Sequence, residues 1–238
     1  MPKLNAASVV LVSLLASAQD PQPPVVDPGG PGKAPSDAVV LFDGKDMSAW
    51  TRSDGQPARC EVRDGVMHCR TGAGDIYSKE KFRSAQIHVE FAIPSMPQQK
   101  GQMRGNSGVY LQACYEIQVL DSFQNPTYAN GSAGALYGLS APKVNASRPP
   151  EQWQTYDIVF HPPRCDASGK AQGAGSLTLL HNGVLVQDHF LVEKATGGCR
   201  LRNLCEAGPL MLQDHSGFPG APDTTMKFRN IWIRKLDK

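Results

Sequence analysis

"AQIHVEFAIP", residues 85–94, decides the fold class. Ile87, Val89, Phe91 and Ile93 fall on one side of an extended chain, and His88 and Glu90 on the other. That period of two belongs to a half-buried strand, because a helix would gather its apolar residues three and four apart. The same signal recurs outward along the chain. "SGVYLQACYEIQVLDS" (107–122) alternates twice and reads as two strands meeting near Cys114, and "QWQTYDIVFH" (152–161) groups Tyr156, Ile158 and Phe160. "SLTLLHNGVLVQDHF" (176–190) is a hairpin around Asn182-Gly183, a pair suited to a type I′ turn. "MKFRNIWIRKL" (226–236) closes the chain as a further β-rich segment, and no window gives a ten-residue amphipathic helix. Many strands joined by hairpins and long loops make an all-β sandwich or jelly roll of two sheets.

Two loops, 94–108 and 125–151, are longer than the roughly 12–15 residues usual for a connection without a role. Both flank "YEIQVLD" (115–121), an arrangement that walls a cleft over one sheet. At the N-terminus, Lys3, the apolar run Ala6–Leu15 and "ASA" (16–18) form a secretory signal pattern, residues 1–18. A Pro- and Gly-rich arm, residues 19–37, reads as a disordered linker, leaving 38–238 as one β-sandwich domain. The formal charge of +2 comes without a Lys/Arg run, which argues against nucleic acid or anionic membrane as partner. No other segment approaches the ~20 apolar residues of a membrane span. The expected location is secreted or periplasmic.

Six cysteines in an exported chain favour disulfides. In "CEVRDGVMHC" (60–69) an Asp64-Gly65 turn sets Cys60 opposite Cys69, close enough to bond. Cys199 and Cys205 stand six apart and are expected to close a local loop, with Cys114 and Cys165 left to each other by default. No CxxC or Cys/His spacing supports a zinc site instead.

Candidate chemistry gathers on three segments. Glu116, Gln118 and Leu120 share one strand face, opposite Tyr115, Ile117 and Val119. The preceding strand sets Asn106, Gly108, Tyr110 and Gln112 on one face, so polar groups from two neighbours would meet around a tyrosine. A pyranose, with hydroxyl edges and an apolar face, suits such a mixture. In "GPLMLQDHSG" (208–217), alternation directs Met211, Gln213 and His215 one way and Asp214 the other, where it can cap the following loop. His215 is the best general base or acid by residue type. His68, His88, His161, His181 and His189 are scattered. G-x-S-x-G, phosphate-loop and H-E-x-x-H motifs do not occur, which removes support for those hydrolases, nucleotide enzymes and zincins.

Taken in order, "VLFDGKDMSAW", "CEVRDGVMHC", "RGNSGVYLQACYEIQVLDS", "GALYGLSAPKVNASRPPEQWQTYDIVF", "HNGVLVQD", "GPLMLQDHSG" and "KFRNIWIRKL" resemble the 3-keto-disaccharide hydrolase domain family over about 40–236. One departure is Cys60, where the family usually has an aromatic before the "VRDG" turn. The resemblance implies a concanavalin-like β-jelly roll and action on glycosides whose C3 hydroxyl has become a ketone. Such a ketone acidifies the C2 proton, so a base can form an enolate that expels the C1 oxygen, and water addition then completes a net hydrolysis. By the same resemblance His215, Glu116 and Tyr137 are the catalytic candidates, with Arg104, Gln118, Asp121 and Gln213 as sugar-binding residues. His215 is the first candidate for base or acid with Tyr137 as its complement, while Glu116 is an alternative base or a metal ligand. The resemblance leaves room for a divalent cation such as calcium, although no ligand cluster demands one. The rival reading is a non-catalytic, lectin-like carbohydrate-binding module, and a third is an adhesive exported domain.

Overall fold

The computed structural model describes residues 22–30, 33–200, 203–217 and 219–237. In chain order its strands are β1 (Val39–Phe42), β2 (Trp50–Arg52), β3 (Glu61–Arg63), β4 (Val66–Arg70), β5 (Ile76–Phe82), β6 (Ala85–Ala92), β7 (Ser107–Leu111), β8 (Tyr115–Val119), β9 (Gln154–His161), β10 (Gly175–His181), β11 (Val184–Val192), β12 (Gly208–Leu212) and β13 (Thr225–Lys235). One antiparallel sheet runs β11-β10-β9-β6-β13-β4-β3, with β1 also paired to β13. The second runs β2-β5-β12-β7-β8. The fold is the expected all-β jelly-roll sandwich. Helix among the described residues is limited to 3-10 turns at Gly101–Met103, Ala129–Gly131 and His215–Gly217.

Period two is what closes the core. Ile87, Val89, Phe91 and Ile93 are all buried, and in register Val89 faces Tyr156 while Phe91 faces Phe228. Tyr115, Ile117 and Val119 meet them from the second sheet. Each such apolar side chain stabilises the sandwich by roughly 1.5–3 kcal/mol. Asp64-Gly65 and Asn182-Gly183 all have positive φ, the backbone a type I′ turn requires. Strands β1, β2 and β5 were not anticipated. In β5, "IYSKEKF", the apolar residues mark its ends while Ser78 fills an inward position, bonding Glu80 O at 2.6 Å.

The Cys60–Cys69 bond forms as expected, across the β3–β4 ladder with Cα atoms 4.4 Å apart. The other two pairings correct the sequence expectation. Cys199 bonds Cys114, not Cys205, and Cys165 bonds Cys205. The cause is a strap, residues 196–200, laid along the β7–β8 turn by backbone bonds from Thr196 N to Cys114 O (3.0 Å) and Arg200 N to Ala113 O (2.9 Å). These bonds carry Cys199 to Cys114. Cys205 instead lies beside the 163–169 loop, where Arg83 donates to both Cys205 O and Pro163 O. Three disulfides with no free cysteine among the described residues suit an extracellular or periplasmic protein.

The expected signal, residues 1–18, lies outside the described residues, as do 19–21, 31 and 32 of the arm. The described part of the arm forms no strand or helix, and Asp37 at its end pairs with Arg234 at 2.8 Å. No helix among the described residues is long and apolar enough to cross a membrane.

Candidate active site

The sheet β2-β5-β12-β7-β8 turns one face to the core and carries polar groups on the other. Register sets Tyr110 opposite Glu116, Gly108 opposite Gln118, and Met211 opposite Tyr110. Beyond the end of β12, the bond from Gln213 N to Gly108 O (2.9 Å) continues the alternation, so Gln213 joins the same face. His215 follows two residues on, in its own 3-10 turn. The segment "GALYG" runs along the free edge of β8, with Gln118 N donating to Ala135 O and Tyr137 N to Glu116 O, both at 3.0 Å. That pairing covers an open sheet edge and delivers Tyr137 beside Glu116.

These side chains line one cavity of about 290 Å³, at the small end of ligand-site volumes. Four of the expected residues converge there with Tyr137: Glu116, Gln118, Gln213 and His215. Asn106, Tyr110, Gly197, Gly198 and Arg200 complete the lining. Arg200 is the residue sequence reasoning missed. It comes from the strap, which the Cys114–Cys199 bond fastens, and its guanidinium stands 3.6 Å from the Asp75 carboxylate. A local pattern could not reveal it, because the strap joins the site through a bond spanning 85 residues.

Arg104 and Asp121, also expected to bind substrate, do not reach the cavity. Arg104 Nε lies 2.8 Å from Asp121 Oδ2, and the carboxylate is 2% exposed. The pair pins the 94–108 loop to the end of β8. Asp214 points away as alternation required, accepting from Gly72 N (2.9 Å) and Gly74 N (2.7 Å). Gln112 leaves the cleft face at a positive φ and donates to Phe82 O.

Electrostatically the centre is Glu116, 5% exposed. Burial pushes its carboxyl up to about 7, against the opposing hydrogen bond from Tyr110 OH at 2.8 Å. Tyr110 in turn accepts from Gln213 Nε2 at 3.1 Å. Gly108 leaves room for this arrangement, since a Cβ there would stand 3.0 Å from Glu116 Oε1 and 2.8 Å from the Tyr110 ring. Burial lowers the His215 pKa although Asp214 opposes it, so the imidazole is neutral at pH 7. Burial, with a hydrogen bond to Tyr128, raises the Tyr137 hydroxyl, which stays protonated. A buried carboxyl titrating near neutrality beside a retained phenolic proton can take a proton from one atom and return one to another.

Among the described residues no group of three or more His, Cys, Asp or Glu side chains converges as metal ligands do. Glu116 is the one carboxylate lining the cavity, and Tyr110 already occupies one of its oxygens. A calcium ion takes about six to eight oxygen ligands, so the residues here do not fit one.

Residues 37–234 match the profile of the 3-keto-alpha-glucoside-1,2-lyase-like domain. Among solved structures, a protein of Parabacteroides distasonis named as a candidate glycosyl hydrolase is 42% identical, with TM-score 0.83, covering 93% of this chain and 95% of its own. A second protein of that organism, similarly named, is 20% identical with TM-score 0.58 over 84% of this chain and 94% of its own, and shows the fold alone. No curated protein matches.

Proposed function

The chain belongs to the 3-keto-alpha-glucoside-1,2-lyase-like domain family, and from that premise we propose that it is a glycoside-cleaving enzyme that acts on 3-keto-glycosides by elimination. Glu116 takes the C2 proton, which the neighbouring C3 carbonyl acidifies. The electron pair forms an enolate, and its collapse makes a C1–C2 double bond while the C1–O bond breaks. The departing oxygen receives the Tyr137 proton, replaced through Tyr128, whose hydroxyl bonds that of Tyr137 and which is half exposed. Water added across the new double bond completes a net hydrolysis. Arg200 and His215 offer donors to the enolate oxygen, the kind of preorganised stabilisation that such a step needs. The paired carboxylates of ordinary glycosidases are not required.

The observation that carries this reading is the Glu116 carboxyl, held near pKa 7 at the floor of a polar cavity. It favours Glu116 over His215 as base, because a proton acceptor works best when its pKa lies near working pH.

The experiment is incubation with an aryl 3-keto-glucoside, following aglycone release and deuterium exchange at C2, with and without divalent metal. Release by wild type and its loss in Glu116→Gln are expected. If wild type releases nothing under either condition while binding unoxidised glycans, the protein is a carbohydrate-binding module instead.

A further inference from the structure

Two carboxamides in the cleft are oriented by what lies behind them. Gln118 is 1% exposed, and its Nε2 donates to Gln102 Oε1 at 3.0 Å and to Gly131 O at 3.3 Å. Gln102 is fully engaged: its Oε1 also accepts from Asn106 Nδ2 (3.3 Å), while its Nε2 donates to Thr127 Oγ1 and Gly131 O, both at 2.9 Å. Rotating either amide by half a turn would set an oxygen against the Gly131 carbonyl, so that one acceptor fixes both. Gly131 holds its place because the Tyr128 ring rests on it, where a Cβ would stand 2.0 Å from the ring. Gln118 Oε1 is left buried with no partner among the described residues, on a residue that lines the cavity.

Gln213 repeats the logic. Its Nε2 is spent on Tyr110, whose own proton goes to Glu116, and its Oε1 has no partner among the described residues. Two buried acceptors without donors are costly unless a ligand supplies the donors. A hydroxyl can do so, whereas a carbonyl or a methylene cannot.

We propose that Gln102, from behind the cleft wall, holds the Gln118 carboxamide with only its oxygen presented, so that this position selects a sugar hydroxyl and rejects a carbonyl or deoxy carbon. This deepens the glycoside-cleaving function and rests on it. Gln102 is a positioning residue, since it does not line the cavity. The keto oxygen, itself an acceptor, is thereby left to the donors Arg200 and His215.

The test compares an aryl 3-keto-glucoside with its 2-, 4- and 6-deoxy analogues on wild type, Gln118→Met and Gln102→Met. Wild type is expected to disfavour one analogue by about tenfold or more in kcat/KM, because an unpaired buried acceptor carries that cost. Both variants should shrink that gap to less than about twofold. Gln102→Met should raise KM for the parent sugar more than it lowers kcat. An undiminished gap in either folded variant, or no disfavoured analogue in wild type, overturns the proposal. If Gln102→Met does not fold, Thr127→Val serves: it removes one restraint on Gln102 and should narrow the gap partway, and a gap of full size counts against the proposal. If wild type turns over no 3-keto-glucoside, the elimination reading fails by itself. The same question is then put to binding, with methyl glucoside and its monodeoxy analogues titrated by NMR and the same gap and its loss decisive.

Discussion

Glu116 and Glu90 are both nearly buried on sheet faces, at 5% and 8% exposure, yet their environments push them in opposite directions. Glu90 lies on the outer face of the larger sheet, where Arg229 Nε approaches its carboxylate at 2.6 Å and Asn230 Nδ2 donates to it at 2.8 Å. Burial raises its pKa, but those bonds outweigh burial and hold it below the usual carboxylate value. His88 completes that cluster between Glu90 and Asp157, and its ring stacks on Trp232, as Arg229 covers Trp153. Every charge there meets an opposite one, and both aromatic faces are taken. Glu116 meets one phenol, in a cavity whose two amides, Gln118 and Gln213, leave their oxygens unmatched among the described residues. Satisfied polar clusters hold a fold together, and an unsatisfied one is where a ligand belongs.

The largest way to test this contrast is activity. Glu116→Gln is expected to lower kcat by about 10²–10⁴-fold, the range for losing a general base. Glu90→Gln should leave kcat/KM on a 3-keto-glucoside within about twofold, since the outer sheet face does not touch the cleft. Equal losses from both would erase the distinction.

Stability should run the other way. The folded pKa of Glu116, about 7, stands above its ordinary 4.5, so the folded state binds that proton more tightly. Ionising the carboxyl therefore costs stability: nothing below pH 4.5, increasingly through 4.5–7, and fully above 7. At about 1.4 kcal/mol per pH unit the full cost is about 3 kcal/mol. Glu116→Gln keeps an acceptor for Tyr110 and should be more stable than wild type by up to that amount at pH 8. The two proteins should converge near pH 4, as read by urea unfolding at both pH values. A variant destabilised at pH 8 would mean that the carboxylate is not strained there.

How much of this contrast was legible beforehand depended on distance along the chain. Period two placed Ile87 to Ile93 in the core, and alternation brought Glu116, Gln118, Gln213 and His215 to one face, because strand geometry converts local spacing into direction. Arg200 was invisible, since its place depends on a strap fastened to Cys114 from far down the chain. Arg104 and Asp121 carried the right chemistry but lie 17 residues apart, and only the folded loop shows that they neutralise each other. Strand β5 escaped notice because its centre is polar on both sides, its place secured by the neighbours β2 and β12 and not by its own pattern.

Tyr110→Phe sharpens the same comparison by about fivefold effects. The phenol donates to Glu116 Oε2 and is the one interaction that lowers that carboxyl's pKa. Without it the folded pKa should rise by roughly one unit, given the strength of a hydrogen bond to a charged group. The acidic limb of the kcat/KM profile would move up by the same amount, and activity at pH 7 would fall by about fivefold, while activity at pH 9 approaches wild type. Gln213 would lose its acceptor in the same variant, so KM should rise as well. An unmoved limb would mean that the group titrating in the profile is not Glu116, and His215 would become the base.

The smallest effect belongs to the satisfied side. Glu90→Gln removes the charge that Arg229 and His88 share, and Arg229 is about half exposed, so solvent screens part of the loss. Roughly 1–2 kcal/mol of stability should disappear at pH 7, less than breaking a fully buried pair. Because the folded pKa of Glu90 lies below its ordinary value, its contribution is present above that value and lost as pH falls. The gap between wild type and Glu90→Gln should therefore narrow as the pH falls below the ordinary glutamate value of 4.5, read by urea unfolding. Glu116→Gln has its convergence at acid pH too, but from the opposite side, as a variant that is more stable when the pH is high. Two glutamates of similar burial would then give stability differences of opposite sign at pH 8 and none in acid. If both substitutions destabilise at pH 8, favourable partners outweigh burial at both carboxylates, and the partners counted around them do not separate site from scaffold.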